Sequence, residues 1–121
     1  MAGPRVRSRH SRWADGAPVI IDFDDCGPSW YPWELAVALF PFDGEPGFDA
    51  RRDALVRGYR AVAPLPDDVL AELPTFVMAR RLVTLGWLFL HAHTAHAAAQ
   101  REWRLRTLGP AIERYLAWAG S

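Results

Sequence analysis

The stretch VIIDFDDCG, residues 19 to 27, decides how this chain is interpreted. It begins with β-branched apolar residues, which are typical of a buried strand, and three aspartates follow within four positions. Crowded carboxylates repel one another unless a cation lies among them, and Mg2+ prefers oxygen ligands of this kind. The segment therefore predicts a strand that delivers acidic groups to a site for phosphate chemistry. The alternative is a plain turn that ends in Gly27-Pro28.

The residues on either side of this segment predict a mainly α fold with a short N-terminal β-hairpin. Asp15-Gly16 is a turn pair, so the hairpin is expected over residues 13 to 21. Residues 30 to 40 are apolar nearly all round, which predicts a helix buried on several sides, with the rest of the fold packed around it. Hydrophobic periodicity predicts helices near residues 31 to 40, 49 to 62, 67 to 73, 75 to 96 and 100 to 118.

Prolines and glycines mark the expected breaks between these helices. Pro66 suits the first position of a helix, where its missing N–H has no helical partner to lose. Pro74 is expected to separate a short helix from the longer one that follows it. Gly109-Pro110 is expected to kink or split the last helix.

Composition limits the classes of function that are open to the chain. With 121 residues, half of them hydrophobic, and no net charge, it reads as one soluble domain or part of one, without a nucleic-acid footprint. The longest apolar stretch, residues 82 to 90, is far shorter than the roughly 20 residues of a membrane span. No signal peptide is evident, and the single cysteine, Cys26, has no internal disulfide partner. A cytoplasmic protein that does not contact membranes is expected.

Residues 1 to 12 differ from the rest of the chain. Four arginines alternate there with small or polar residues and no apolar periodicity appears, so this segment is interpreted as a loose basic arm, and residues 13 to 121 as the folded unit. The chain contains no lysine and no asparagine. A mechanism that needs either residue is therefore excluded for this chain acting alone.

The acidic segment and the residues after it resemble the C-terminal lobe of the aminoglycoside phosphotransferase and choline kinase family, small-molecule kinases built like protein kinases. The matching residues are Ile21-Asp22-Phe23-Asp24-Asp25, then Gly27, then Glu34-Leu35-Ala36. Residues 58 to 66 and 80 to 88 are similar to the helical tail of bacterial members. The resemblance covers residues 13 to 118 and implies a partial C-terminal lobe of a protein-kinase-like fold.

The resemblance also implies roles for individual residues. Asp22 takes the position of the acid that binds Mg2+, and Asp24 that of a ligand to a second metal ion or a hydrogen-bond partner of the loop. Ile21 would face the adenine of ATP. Glu34 stands where the family has an aspartate that accepts N–H groups of the catalytic loop. ATP and Mg2+ are thus the implied cofactors, and a small-molecule hydroxyl compound is the implied acceptor.

The chain departs from the family pattern upstream of the hairpin. The family's His-x-Asp-x-x-x-x-Asn motif has Arg5 and His10 at its Asp and Asn positions here, and neither residue can act as the base or as a good Mg2+ ligand. The nucleotide-binding N-lobe is missing, so no residue is assigned a catalytic role. The expectation is a frameshifted or mis-started remainder of a longer phosphotransferase, inactive alone.

Other interpretations stay open. A degenerate kinase lobe could serve as a binding module or be a relic, with Trp30, Tyr31 and Trp33 as its exposed apolar surface. Asp22-Phe23-Asp24 is also similar to the opening motif of haloacid-dehalogenase-type phosphatases, although the following residues differ.

Histidine and cysteine are two further residue types that could form a site. On one continuous helix His91, His93 and His96 would not share a face, which argues against a metal site built from them. Cys26 beside carboxylates is expected to be a poor nucleophile.

Overall fold

A computed structural model describes residues 11–20 and 31–121 of the chain. The described part is mainly helical, as expected, with one β-hairpin at its N-terminal end. The elements in chain order are β1 (Ser11–Ala14), β2 (Ala17–Ile20), α1 (Tyr31–Leu39), a 3₁₀ turn (Phe40–Phe42), α2 (Phe48–Arg60), α3 (Asp67–Ala71), α4 (Leu73–Leu90) and α5 (Ala95–Ala119).

The hairpin forms at the predicted Asp-Gly pair. Strands β1 and β2 are antiparallel, and their register pairs Ser11 with Ile20 and Ala14 with Ala17. Asp15 has φ 50° and Gly16 has φ 78°, so both central residues adopt the positive φ of a type I′ turn, which matches the twist of the strands. The first strand begins two residues before the predicted hairpin and includes the end of the predicted basic arm. Residues 1 to 10 lie outside the described residues.

The buried helix was correctly predicted from its all-round apolarity. In α1 and the 3₁₀ turn, Leu35, Ala36, Leu39 and Phe40 are all at most 5% exposed. Helix α1 packs mainly against α4 and also touches α2. The largest core cluster extends from α1 to Val56, Leu65, Leu73 and Val77.

A bend rich in proline joins α2 to α3 and is held by one arginine. Arg60 donates from Nε and Nη2 to the Leu65 carbonyl, at 3.2 and 2.9 Å, and its Nη2 lies 2.7 Å from an Asp67 carboxylate oxygen. The prediction for α2 ran two residues too far, since Val62 lies beyond the helix and is 90% exposed. Pro66 is the N-cap of α3 rather than its first helical residue, a difference of one position.

The predicted helix from 75 to 96 was wrong at both ends. Helix α4 begins at Leu73, with Pro74 tolerated in its first turn, where a helix loses no hydrogen bond to proline. It ends at Leu90, and Thr94 then starts α5 as an N-cap whose Oγ1 accepts from the Ala97 N–H at 3.2 Å. This cap satisfies one of the N–H groups at the start of α5 and stabilises a new helix where continuity was expected.

The sequence predicted a kink or a split of the last helix at Gly109-Pro110, and the split does not occur. Helix α5 is continuous over 25 residues with Pro110 inside it. Its buried residues are Ala97 and Ala111, and Trp103 and Leu108 pack against the two core clusters. Tertiary packing on both sides of Pro110 therefore maintains the helix across it.

Helix α4 is the one described helix long and apolar enough to cross a membrane by length and composition alone. About 39% of its residues are buried inside the helical assembly. The core helix of a soluble protein has the same features, so this finding gives only weak support for a membrane span.

Candidate functional site

The predicted metal and nucleotide residues lie outside the part of the chain that the structure describes. This applies to Ile21, Asp22 and Asp24, and also to Cys26. Glu34 is described: it lies in the first turn of α1 with an exposed side chain. An acidic group there is favourable, because the helix dipole is positive at its N-terminal end. Whether these residues form one site stays a prediction.

Arginine side chains from α4 and α5 surround the aromatic residues of α1 and the 3₁₀ turn. The Arg80 guanidinium lies 5.8 Å from the centre of the ring of Trp33, the residue that precedes Glu34 in the sequence. The guanidinium groups of Arg81 and Arg104 lie 5.4 and 5.3 Å from the centre of the Phe40 ring. These distances are within the range of cation–π attraction. Guanidinium groups from α4 and α5 are thus concentrated around the aromatic residues of α1 and the 3₁₀ turn.

One of these arginines is buried and held by a polar network. Arg81 is 2% exposed, and its Nη2 lies 3.0 Å from an Asp43 carboxylate oxygen. Its Nη1 donates to Thr107 Oγ1 at 3.0 Å, and that hydroxyl donates to the Trp103 carbonyl at 2.9 Å. Buried charges are rarely found without such partners. The network ties the loop after α1 to both α4 and α5.

A second arginine reaches the same carboxylate from the surface. Arg114 Nη2 lies 3.4 Å from Asp43 Oδ2, and its side chain is 46% exposed. The guanidinium packs over Gly44, where a Cβ atom would lie 2.5 Å from Nη2. Gly44 also has φ 84°, a conformation that favours glycine. The loop thus needs glycine at this position for Arg114 to approach Asp43.

A cleft of about 650 Å³ opens beside this group, between α2, α3, α4 and α5. A volume of this size is typical of sites that bind small molecules, roughly 300 to 1,000 Å³. Its apolar lining includes four buried residues, Leu73, Val77, Met78 and Ala111. Aromatic rings from α5 complete that side, because Tyr115 and Trp118 also line the cleft, with ring centres 5.6 Å apart. The Tyr115 hydroxyl is 3.2 Å from Thr75 Oγ1, which fixes the ring.

Five of the six charged residues of the cleft form two groups, and the sixth, Asp67, is paired with Arg60. Asp43 and Arg114 belong to one; Asp49, Arg52 and Asp53, all on α2, belong to the other. Arg52 Nη1 lies 3.1 Å from Asp49, and its Nη2 lies 3.1 Å from Asp53. The cleft thus combines an apolar interior with charges of both signs.

The three histidines lie around the turn between α4 and α5 rather than on one helix. The His91 ring stacks on Trp87 with ring centres 4.3 Å apart, and His96 meets the same indole edge-on at 5.8 Å. His91 and His93 rings are 6.4 Å apart. Within residues 11–20 and 31–121, no group of three His, Cys, Asp or Glu side chains is arranged to hold a metal ion. The observed contacts are therefore those of aromatic packing at a helix end.

The Asp43–Arg81 pair was missed by sequence reasoning. A charge within the apolar stretch of α4 was a signal, because an arginine at a core position needs a buried partner. Its partner is 38 positions away, however, and spacing along the chain does not identify it.

No protein-family model, curated protein or solved structure matches this chain.

Proposed function

We propose that this chain is the C-terminal portion of a cytoplasmic ATP-dependent phosphotransferase that acts on the hydroxyl group of a small molecule. The observation that carries the proposal is the Ile21-Asp22-Phe23-Asp24-Asp25 segment, which stands directly between a strand and the buried helix α1. A site of this kind needs carboxylates at the end of a strand and a rigid element behind them.

The architecture around the segment supports this proposal. The hairpin before it has a well-defined type I′ turn, and α1 after it is the most enclosed helix of the described part. Glu34 lies in the first turn of α1, and the proposal gives it the role of accepting N–H groups from the catalytic loop.

The acidic residues suit Mg2+ in their chemistry, since hard oxygen ligands are those it prefers. Asp22 would hold the metal, Asp24 would assist a second ion or hydrogen-bond the loop, and Ile21 would contact the adenine of ATP. Bound Mg2+ supplies charge neutralisation for the phosphates during transfer. The Asp and Asn of the family's catalytic loop have no counterpart in this chain, so we expect no turnover from it alone.

The test of the proposal is the substitution Asp22→Asn in a protein that has the nucleotide-binding lobe and the catalytic loop restored. We expect the substitution to abolish phosphoryl transfer. We also expect it to abolish Mn2+ binding in the presence of nucleotide, as measured by electron paramagnetic resonance. Asp25→Asn is the matched control, because the proposal gives Asp25 no role. Equal behaviour of the two variants, or activity retained by Asp22→Asn, would contradict the assignment.

A second measurement addresses the chain as it stands. The purified 121 residues should consume no ATP with hydroxyl acceptors and should bind Mg-ATP weakly at best. Clear turnover by the chain alone would contradict the proposal.

A binding module is the second candidate function, and exposed apolar side chains on α4 favour it. Phe89 and Leu90 are 71% and 78% exposed, and Leu82 and Val83 are about half exposed. Several large exposed apolar side chains on one helix are typical of a helix that contacts a partner. Attaching the missing lobe separates the two candidates, because activity would then appear only if the chain is part of an enzyme.

A further inference from the structure

We propose that the cleft between α2, α3, α4 and α5 binds a short apolar peptide of two or three residues with free amino and carboxyl termini. The inference is independent of the phosphotransferase proposal, since it rests on side chains that lie after α1, whereas the acidic segment precedes α1 in the sequence.

The size of the cleft sets the size of the ligand. Its volume of about 650 Å³ equals that of a sphere roughly 11 Å across. An extended chain spans at most about 3.3 to 3.6 Å per residue, so two or three residues cover roughly 7 to 11 Å. A single amino acid would leave much of the apolar surface in contact with water, and a longer peptide would extend beyond the cleft.

The interior of the cleft favours apolar side chains. Leu73, Val77, Met78 and Ala111, each at most 9% exposed, belong to its lining, and the rings of Tyr115 and Trp118 line it as well. Burying apolar ligand surface there contributes about 25 cal/mol per Å² before the costs of association are subtracted. Trp118 is 39% exposed, so it offers ring surface that the fold itself does not cover.

One ion cluster beside the cleft carries an excess positive charge; Asp43 and Arg114 of this cluster line the cleft, whereas Arg81 is buried outside the lining. Two guanidinium groups, from Arg81 and Arg114, share the single carboxylate of Asp43. Arg81 is buried, so its charge is poorly screened by water. Arg114 is half exposed and makes the longer contact with Asp43, at 3.4 Å, so its guanidinium is available to a second carboxylate. A peptide C-terminus supplies that carboxylate in a geometry that arginine binds well.

The other charged group carries an excess negative charge. Asp49 and Asp53 share the single guanidinium of Arg52, and their side chains are 81% and 57% exposed. The remaining carboxylate of the lining, Asp67, is already paired with Arg60 at 2.7 Å. The ammonium group of a peptide N-terminus would balance the charge on α2. A zwitterion is thus better matched to the cleft than an amphiphile with one charge.

The experiment compares four forms of one probe by isothermal titration calorimetry with the full 121-residue chain. The forms are leucyl-leucine, its N-acetyl derivative, its C-terminal amide, and the doubly blocked peptide. We expect leucyl-leucine to bind most tightly and each single block to weaken binding about two- to fivefold, the effect of one largely exposed ion pair.

Three variants test which side chains bind the carboxylate, the amine and the apolar part of the peptide. Arg114→Gln should remove the preference for a free carboxylate but keep the preference for a free amine. The double variant Asp49→Asn/Asp53→Asn should do the reverse, and Trp118→Ala should weaken all four forms alike. Glu113→Gln, an exposed change on α5 outside the lining, should leave all four affinities unchanged. Circular dichroism confirms that each variant is folded.

The results that would overturn the proposal are equally specific. Absence of binding by leucyl-leucine to the folded chain at millimolar concentration would do so. Equal affinity for all four forms would mean that the cleft recognises apolar surface only. If Arg114→Gln and the double aspartate variant lowered both preferences alike, the two termini would not be bound at separate places.

Discussion

Two groups of aspartate and arginine side chains border the same cleft, and their geometry is almost the same. Arg81 lies 3.0 Å from Asp43, and Arg52 lies 3.1 Å from both Asp49 and Asp53. Their exposure differs greatly. Arg81 is 2% exposed and Asp43 21%, whereas Arg52 is 38% and Asp49 81% exposed.

The comparison teaches that burial, and not distance, determines what an ion pair does for a protein. On α2 both charges are solvated whether or not they meet, so their contact changes the free energy little. The Arg81 guanidinium is desolvated by burial, so its interactions with Asp43 and Thr107 replace the hydrogen bonds that it would make with water. Loss of one partner should therefore destabilise the fold strongly in the buried group, while the α2 group is free to serve recognition.

The largest expected effect is that of Asp43→Ala. This change leaves the Arg81 guanidinium buried without a carboxylate, which typically destabilises a protein by about 3 to 5 kcal/mol. Urea unfolding followed by circular dichroism measures the loss. Glu45→Ala, on an exposed side chain in the same loop, is the control and should cost much less. If the two variants unfold at the same urea concentration, Arg81 does not depend on Asp43.

A smaller effect is expected from Thr107→Val, which keeps the shape of the side chain and removes its hydroxyl. Arg81 Nη1 then loses its acceptor, and an unsatisfied buried donor costs about 1 to 3 kcal/mol. The same unfolding measurement applies. Thr75→Val is the control, because it removes a partly buried hydroxyl that is hydrogen-bonded to Tyr115 and not to a buried charge. Thr94→Val is unsuitable because Thr94 caps α5. A neutral Thr107→Val would mean that water replaces the hydroxyl.

The smallest effect is expected from Arg52→Gln. This pair is exposed, so its loss should change the free energy of unfolding by about 0.2 to 1 kcal/mol. Repeating the measurement in 1 M salt should abolish the difference, because the screening length there is only about 3 Å. The cost of Asp43→Ala should persist in the same salt. A salt-independent cost at Arg52 would place the α2 group in the same class as the buried one.

Local signals predicted much of the fold. The Asp15-Gly16 pair predicted the hairpin because few other sequences adopt two successive positive φ angles readily. The all-round apolarity of residues 33 to 40 predicted a buried helix, which α1 and the following turn confirm. Both patterns depend on residues close together in the sequence, so they can be recognised without knowledge of the tertiary structure.

The errors occur where distant contacts outweigh local preference. Pro110 is a strong helix breaker, yet packing of α5 on both sides keeps the helix continuous. The helix-favouring sequence around residue 92 was expected to continue α4, but the Thr94 cap and the packing of Ala97 start a new helix. The Asp43–Arg81 pair depends on the relative placement of α1 and α4. The acidic segment with Asp22 lies outside the described residues, so its predicted role awaits the substitution.

The proline inside α5 has a consequence for how the protein opens. Pro110 has no N–H, so the Arg106 carbonyl lacks its usual donor, and the ladder of hydrogen bonds is interrupted near the middle of the helix. The segment before the interruption is anchored by Trp103 and Leu108, and the segment after it by Ala111. The two segments can therefore open separately, and amide hydrogen exchange should reveal two protection levels within one continuous helix. The end that borders the cleft would then adjust to a ligand while the other half holds the core.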